Sequence, residues 1–63
     1  MDREAFTIEE FCRAHGISRA HYFNIQNRGE GPRVMRVGAR VLVSREAAAD
    51  WRRAREASVS EAA

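Results

Sequence analysis

The segment from Thr7 to Arg28, with the sequence TIEEFCRAHGISRAHYFNIQNR, decides the fold that we expect for this chain. Thr7 and Glu10 have the spacing of a capping box, which marks the start of a helix. Gly16 stands where a left-handed residue ends such a helix, and Ser18 can cap a second one. The segment therefore predicts two short helices joined by a tight turn, which is a helix-turn-helix.

The apolar residues of these two helices predict one inward face on each. In the first helix the inward residues follow helical spacing. They are Ile8, Phe11, Cys12 and His15. In the second helix we expect Tyr22 and Ile25 to point inward, with Phe23 beside them.

After a loop that contains Pro32, the apolar residues alternate, which is the period of a β-strand. Val37 and Val41 can share an inner face only across a loop with an odd number of residues. We therefore expect a β-hairpin with a three-residue loop, Gly38–Arg40. In this arrangement Arg36 points outward and Arg40 lies at the tip.

Ser44 and Glu46 predict a third helix, with Ser44 as its cap and Glu46 in the first turn, where the helix dipole favours a negative charge. Its inner stripe is expected to contain Ala47, Ala48, Trp51 and Ala54. We expect the Trp51 ring to pack in the core rather than stack on a base. The arginines near the end of the helix either contact phosphate or form a solvated helix end; they are Arg52, Arg53 and Arg55.

The predicted order is helix, turn, helix, hairpin, helix. This order corresponds to a small α+β domain of winged helix-turn-helix type, in which the hairpin is the wing. We expect this domain to span residues 6–56, with a flexible N-terminus at 1–5 and a disordered tail at 57–63.

Composition narrows the function classes. The chain has 63 residues and a net charge of +2, and all of its basic side chains other than histidine are arginine. So short a chain has no room for a catalytic cleft built from several elements, so we expect neither an enzyme nor a cofactor. A single cysteine, Cys12, predicts no internal disulfide and an intracellular, cytoplasmic protein. Neither a signal peptide nor a membrane-spanning segment is predicted.

Metal and acid–base sites are poorly supported. Cys12, His15 and His21 are the cysteine and histidine side chains of the chain, whereas a structural zinc site needs four ligands. Cys12 also falls on the apolar stripe, so we expect a core thiol and no metal. Glu9 and Glu10 lie in the first turn of a helix, where capping and the helix dipole explain them better than acid–base catalysis does.

Polar side chains suited to DNA contacts lie on the outer face of the second helix. Arginine can bind phosphate or guanine, and asparagine can form two hydrogen bonds to adenine. A capping hydroxyl can bind phosphate together with the free N–H groups of the helix N-terminus. The candidate DNA-binding residues here are Ser18, Arg19, His21, Asn24 and Arg28. The alternative is that they form only a solvated face.

Arg36 and Arg40 extend the candidate DNA-binding surface onto the hairpin. An arginine on a short hairpin can bind phosphate or enter a narrow minor groove, where the negative potential attracts it. The alternative is that a hairpin of this size only covers the core.

Five short motifs, in this order and spacing, resemble a known family. They are Thr-x-x-Glu at the first helix, Gly-Ile-Ser-Arg at the turn, Gly-x-Gly-Pro-Arg, Arg-Val-Gly-x-Arg, and Ser-Arg-Glu-Ala followed by Trp. Together they resemble the small winged-helix proteins of the excisionase and AlpA-type regulator group, which are related to the DNA-binding heads of MerR-type regulators. The resemblance covers roughly residues 6–53. Gln26 departs from the pattern, because we expect an apolar residue there.

The resemblance implies sequence-specific binding of double-stranded DNA in phage or mobile-element biology. The role would be control of integrase-driven excision, transcriptional regulation, or both. The second helix would enter the major groove and the wing would contact the flanking minor groove. Few residues follow Trp51 where a MerR-type regulator carries a dimerisation helix, so we expect several copies on repeated sites, or an integrase partner. The alternative is a protein-interaction adaptor, since a net charge of +2 is modest for a DNA-binding protein.

Overall fold

Three helices and a three-stranded antiparallel sheet make up residues 4–62, which the computed structural model describes, with side chains for residues 4–59. The protein is therefore a small α+β domain. Its elements in chain order are β1 (Ala5–Thr7), α1 (Ile8–His15), α2 (Arg19–Asn27), β2 (Met35–Val37), β3 (Arg40–Ser44) and α3 (Arg45–Ala62).

The two predicted short helices and the turn between them are confirmed. The Thr7 hydroxyl accepts a hydrogen bond from the Glu10 N–H (3.1 Å), and the Glu10 carboxylate accepts one from the Thr7 N–H (2.9 Å). Gly16 ends α1 with a φ of 67°, a conformation that favours glycine. The Ser18 hydroxyl then caps α2 by accepting from the His21 N–H at 3.0 Å.

A strand precedes the first helix, which the sequence did not predict. Ala5 pairs with Ser44 and Phe6 with Val43, so β1 forms one edge of the sheet in the order β1-β3-β2. The prediction of a flexible N-terminus is therefore wrong at residue 5, while residues 1–3 lie outside the described part of the chain. So short a strand has no readable period, and its order comes from pairing with a segment far along the sequence.

The hairpin loop has two residues rather than the predicted three. Val37 pairs with Arg40 across Gly38 and Ala39, and Gly38 has a φ of 61°. A positive φ at the first loop position alone is the pattern of a type II′ turn, whose twist matches that of the flanking strands. The preference for this turn outweighs the burial of Val37, which is why the predicted loop length is wrong.

Because the loop is one residue shorter, the side chains of β2 lie on the opposite face from that predicted. Val37, which is 55% exposed, shares a face with Arg40 instead of Val41. Arg36 shares a face with Val41 rather than pointing away from it. Arg40 is the first residue of β3, beside the loop and not at its tip.

The core forms where the three helices meet the central strand β3. Phe11 of α1 and Val43 of β3 are fully buried, and Tyr22 of α2 lies in the same cluster. The remaining buried members are Cys12, Ala47 and Ala48, and the partly buried side chains packed against them are Phe6, Ile8, Ile17 and Trp51. The predicted inward faces of α1 and α2 are thus confirmed.

Helix α3 begins in the core and continues beyond it. The Ser44 hydroxyl caps α3 by accepting from the Ala47 N–H at 3.0 Å, as predicted. Ala54, predicted to lie on the inner stripe, is exposed. The predicted disordered tail is instead helical through Ala62, while residue 63 lies outside the described part. Neither glycine nor proline interrupts this segment, so nothing in it stops the helix.

No helix within residues 4–62 is long and apolar enough to span a membrane.

Replacement of Thr7 by alanine should lower the free energy of unfolding by about 1 kcal/mol, because the Glu10 N–H loses its capping partner. Thr7→Ser keeps the hydroxyl and should remain close to the wild type. Urea unfolding monitored by circular dichroism measures both variants. An equal loss in Thr7→Ser and Thr7→Ala would show that the capping hydroxyl is not the source of the stability.

Candidate nucleic-acid interface

The residues of α2 and its two caps that are predicted to contact DNA are all exposed. They are Ser18, Arg19, His21, Asn24 and Arg28. The opposite side of α2 is anchored in the protein by Tyr22 and Ile25, which are both buried. The structure therefore leaves the predicted face of α2 accessible along its whole length.

Helical spacing identifies the centre of this exposed face. Ala20, Asn24 and Asn27 follow the i, i+4, i+7 pattern of a single stripe and are all exposed. Arg19 and His21 lie on either side of that stripe. Asn24 is thus the most central of the predicted residues.

Several of these groups have no partner in the described part of the chain. Residues 4–59, whose side chains the structure describes, provide no hydrogen bond or ion pair to the side chains of Arg19, His21 or Asn24. The Ser18 hydroxyl oxygen accepts from the His21 N–H, but its own hydrogen remains available to a phosphate. The α2 sequence also contains no aspartate or glutamate to repel a phosphate.

Arg28 differs from the other candidates because it has an acidic neighbour. Its guanidinium lies 3.7 Å from the Glu30 carboxylate, and both side chains are largely exposed. An exposed pair of this kind contributes little stability. Arg28 can therefore exchange Glu30 for a phosphate at low cost, while Glu30 reduces the local positive charge.

The structure does not bring the two hairpin arginines together. Arg36 pairs with Val41 and Arg40 with Val37, and adjacent pairs in a ladder face opposite sides of the sheet. Both side chains are exposed, and neither forms an ion pair with any side chain of residues 4–59. A DNA duplex bound to one face of the hairpin can therefore contact one arginine directly, and it can contact the other only if that side chain reaches around the edge of the hairpin.

Gln26, which stands where an apolar residue was expected, forms hydrogen bonds that join two segments of the chain. Its amide nitrogen donates one hydrogen bond to the Tyr22 hydroxyl (2.8 Å) and another to the Pro32 carbonyl (3.0 Å). The side chain thereby joins the end of α2 to the loop that leads to the hairpin. Gly31 leaves room for it, because a Cβ at that position would lie 2.6 Å from the Gln26 Cδ.

The cysteine and histidines do not assemble into a metal site. His15 donates from Nδ1 to the Phe11 carbonyl (2.8 Å), and its Nε2 accepts from the Arg52 guanidinium (3.0 Å). Cys12 is buried; burial raises the pKa of its thiol, and the positive charge of Arg19 opposes that increase. Within residues 4–62, no three cysteine, histidine or acidic side chains cluster as metal ligands would.

Trp51 has a structural role. Its ring lies edge-on to Phe11, with centroids 5.2 Å apart, and its indole N–H donates to the Glu30 carbonyl at 2.8 Å. This confirms the predicted packing against the core. The glutamates of α1 are also engaged, since Glu10 completes the capping box and Glu9 pairs with Arg13 at 3.3 Å.

Asp50, in the first half of α3, forms ion pairs with two arginines. Its carboxylate lies 2.9 Å from Arg33 of the loop and 3.0 Å from Arg53 of its own helix. The hydrogen bond from Arg33, together with the nearby positive charges, lowers the pKa of Asp50 below its usual value. Among the α3 arginines, Arg52 and Arg55 have no carboxylate partner among the side chains of residues 4–59.

Two residues of the exposed α2 face were not among the predicted site residues. Asn27 lies on the same stripe as Asn24, which its spacing in the sequence already indicated. Phe23, expected beside the inward residues, is 47% exposed. Its ring lies edge-on to Tyr22 with centroids 5.1 Å apart. Helical spacing alone places Phe23 closer to the outer stripe than to Ile25.

Comparison of the chain with protein-family models, curated proteins and solved structures found no match.

Gly31→Ala should lower the free energy of unfolding by about 1–3 kcal/mol, because displacement of the Gln26 amide breaks both of its hydrogen bonds. In a Gln26→Ala background the same substitution should cost clearly less, so the two changes are not additive. Urea unfolding of the single and double variants measures this coupling. Asn27→Ala is the control and should combine additively with Gly31→Ala; equal costs in all backgrounds would contradict the proposed contact.

Asp50→Asn should destabilise the protein at neutral pH by an amount that disappears in acid. A lowered folded-state pKa means that Asp50 contributes its stability above the unfolded-state pKa and loses it as pH falls through the folded-state pKa. Urea unfolding between about pH 7 and about pH 2 should therefore bring the two proteins together at the acid end. Arg33→Gln should reduce this pH dependence more than Arg53→Gln does. A difference that persists unchanged in acid would exclude the Asp50 charge as its cause.

Proposed function

We propose that this protein is a sequence-specific binder of double-stranded DNA with a winged helix-turn-helix architecture. In this proposal α2 enters the major groove and the β2–β3 hairpin is the wing on the flanking minor groove. The observation that carries the proposal is the exposed face of α2. It offers guanidinium, imidazole and amide groups that have no partner among the side chains of residues 4–59, and it contains no carboxylate.

The arrangement of elements supports this proposal. The turn at Gly16 is short and α1 packs against α2, so α2 is held as a rigid unit on the protein surface. The hairpin follows α2 after one loop, and Gln26 fastens that loop to the helix. A contact made by the hairpin would therefore be positioned relative to one made by α2.

The biological role rests on the family resemblance of the sequence. It is excision control or transcriptional regulation in a phage or mobile element, with an integrase or further copies of the protein as partners. One module of this size reads only a few base pairs, so cooperative binding on repeated sites would supply the remaining specificity.

A protein-interaction adaptor is the second candidate. The observation that favours it is the apolar surface on the hairpin side of the molecule. Met35 and Val37 share one face of the hairpin and are 40% and 55% exposed, and the neighbouring Val34 is also exposed. Such a surface is typical of a contact with another protein.

DNA binding at increasing salt separates the two candidates. A DNA-binding protein should bind a selected duplex at low salt, with an affinity that falls by about one log unit per log unit of salt for each phosphate contacted. Fluorescence anisotropy with a labelled duplex measures this slope. No binding to any duplex at low salt would overturn the DNA proposal and leave the adaptor.

Alanine substitutions should then distinguish the side chains that contact bases from those that contact phosphates. Asn24→Ala should weaken binding to the selected site more than to random DNA, because its amide faces the bases, whereas Arg19→Ala should weaken binding to both. Arg40→Ala should weaken both about equally. Arg53→Ala, which removes the same charge next to Asp50, is the control and should have the smallest effect. Equal losses on both DNAs from all variants would contradict base reading by α2.

A further inference from the structure

The charged side chains of the outer face of α2 lie at its two ends, and their positions indicate which base pairs the helix can read. Arg19 and Arg28 stand at its two ends, nine positions apart in the sequence. At 3.6 residues per turn, nine positions place the two side chains on opposite sides of the helix, with the stripe between them. If α2 lies along the major groove as proposed above, each arginine points towards one of the two phosphate backbones, and the residues between them face the bases.

The stripe between the arginines carries two asparagine amides. Asn24 and Asn27 are exposed, and neither side chain has a hydrogen-bond partner in the part of the chain described with side chains, residues 4–59. They are three positions apart, about 4.5 Å along the helix, which is close to the 3.4 Å spacing of successive base pairs. A free amide matches the N6 and N7 atoms of adenine, where it donates one hydrogen bond and accepts another.

The apolar members of the same stripe complement the amides. Ala20 and Phe23 are both exposed, and the Phe23 ring is held edge-on to Tyr22. Tyr22 is in turn fixed by its burial and by the hydrogen bond from Gln26. Phe23 is therefore an oriented apolar surface directed away from the core. In the major groove the apolar group of a base is the 5-methyl of thymine.

Side chains that favour G·C pairs do not occur in this stripe. Guanine is read by arginine or lysine, and the exposed N4 amine of cytosine by a carboxylate. Between Arg19 and Arg28 the sequence contains neither type of residue. His21, beside the stripe, is the remaining polar side chain that could contact a base there.

We propose that α2 reads a core of A·T base pairs in the major groove. Asn24 and Asn27 contact adenines, Phe23 and Ala20 contact thymine methyl groups, and Arg19 and Arg28 bind the flanking phosphates. This inference rests on the proposed function and adds to it the base composition of the target.

Selection of bound duplexes from a random library with the wild-type protein tests the predicted base composition of the target site. The enriched sites should share a short core of A·T pairs. The same sites synthesised with deoxyuridine in place of thymidine then test the methyl contacts. Loss of each buried methyl should weaken binding by about fourfold. Phe23→Ala should show a smaller preference for thymidine than the wild type, because only the Ala20 contact remains, and Phe23→Leu should retain the full preference.

Val59→Ala is the matched control. Val59 is also an exposed apolar residue, 69% exposed, but it lies in α3 and should not affect the preference for thymidine. Circular dichroism verifies that each variant is folded. If Phe23→Ala is unfolded, the wild-type protein on the thymidine and deoxyuridine duplexes still tests the methyl contacts.

The outcomes separate this inference from the proposed function. Absence of binding to every duplex at low salt would overturn both. Selection of G·C pairs at the core would overturn this inference and leave DNA binding intact. Equal binding with and without the methyl groups would overturn the thymine contacts. An A·T preference that also survives Asn24→Ala and Asn27→Ala would overturn the whole inference, because it would come from the minor groove.

Discussion

Strand β3 is the element on which the rest of the structure depends, because it is paired along both edges and also supplies the centre of the core. Its antiparallel pairing with β1 on one side and β2 on the other brings together segments from the beginning and the middle of the chain. Val43 is fully buried in one cluster with Phe11 and Tyr22. Phe→Ala changes at such positions cost about 3–5 kcal/mol, a large share of the stability of a domain this small.

The second constraint is the junction that Gln26 forms at the end of α2. An apolar side chain there could add buried surface, but it could not hold the Pro32 carbonyl or the Tyr22 hydroxyl. The Gln26 amide donates to both, so a half-buried polar residue joins helix and loop. A Cβ at position 31 would displace the Gln26 amide, so glycine at that position preserves the close approach. Hydrogen bonds have directional geometry, so this junction sets the direction in which the chain leaves α2 towards the hairpin.

Charge on the surface is distributed unevenly. Arg13, Arg33 and Arg53 have carboxylate partners within 3.3 Å, while Arg19, Arg36 and Arg40 have none among the side chains of residues 4–59. These three arginines lie at α2 and the hairpin; Arg52 and Arg55 of α3 also have no carboxylate partner in that range. A net charge of +2 therefore understates the positive character of the proposed DNA surface, because acidic residues neutralise arginines elsewhere on the molecule. The modest net charge is thus compatible with DNA binding.

The sequence by itself determined the helices and their caps. Thr7 with Glu10, Gly16, Ser18 and Ser44 act on backbone groups within a few residues, so their spacing is sufficient to predict them. The polar outer face of α2 follows from the same local periodicity. Only the tertiary structure decided the pairing of β1, the register of the hairpin, the partners of Gln26 and the separation of Arg36 from Arg40. The pairing of β1 and the partners of Gln26 depend on contacts between separate segments of the chain. The register of the hairpin, and with it the separation of the two arginines, depends on whether turn geometry or the burial of Val37 decides the length of the loop.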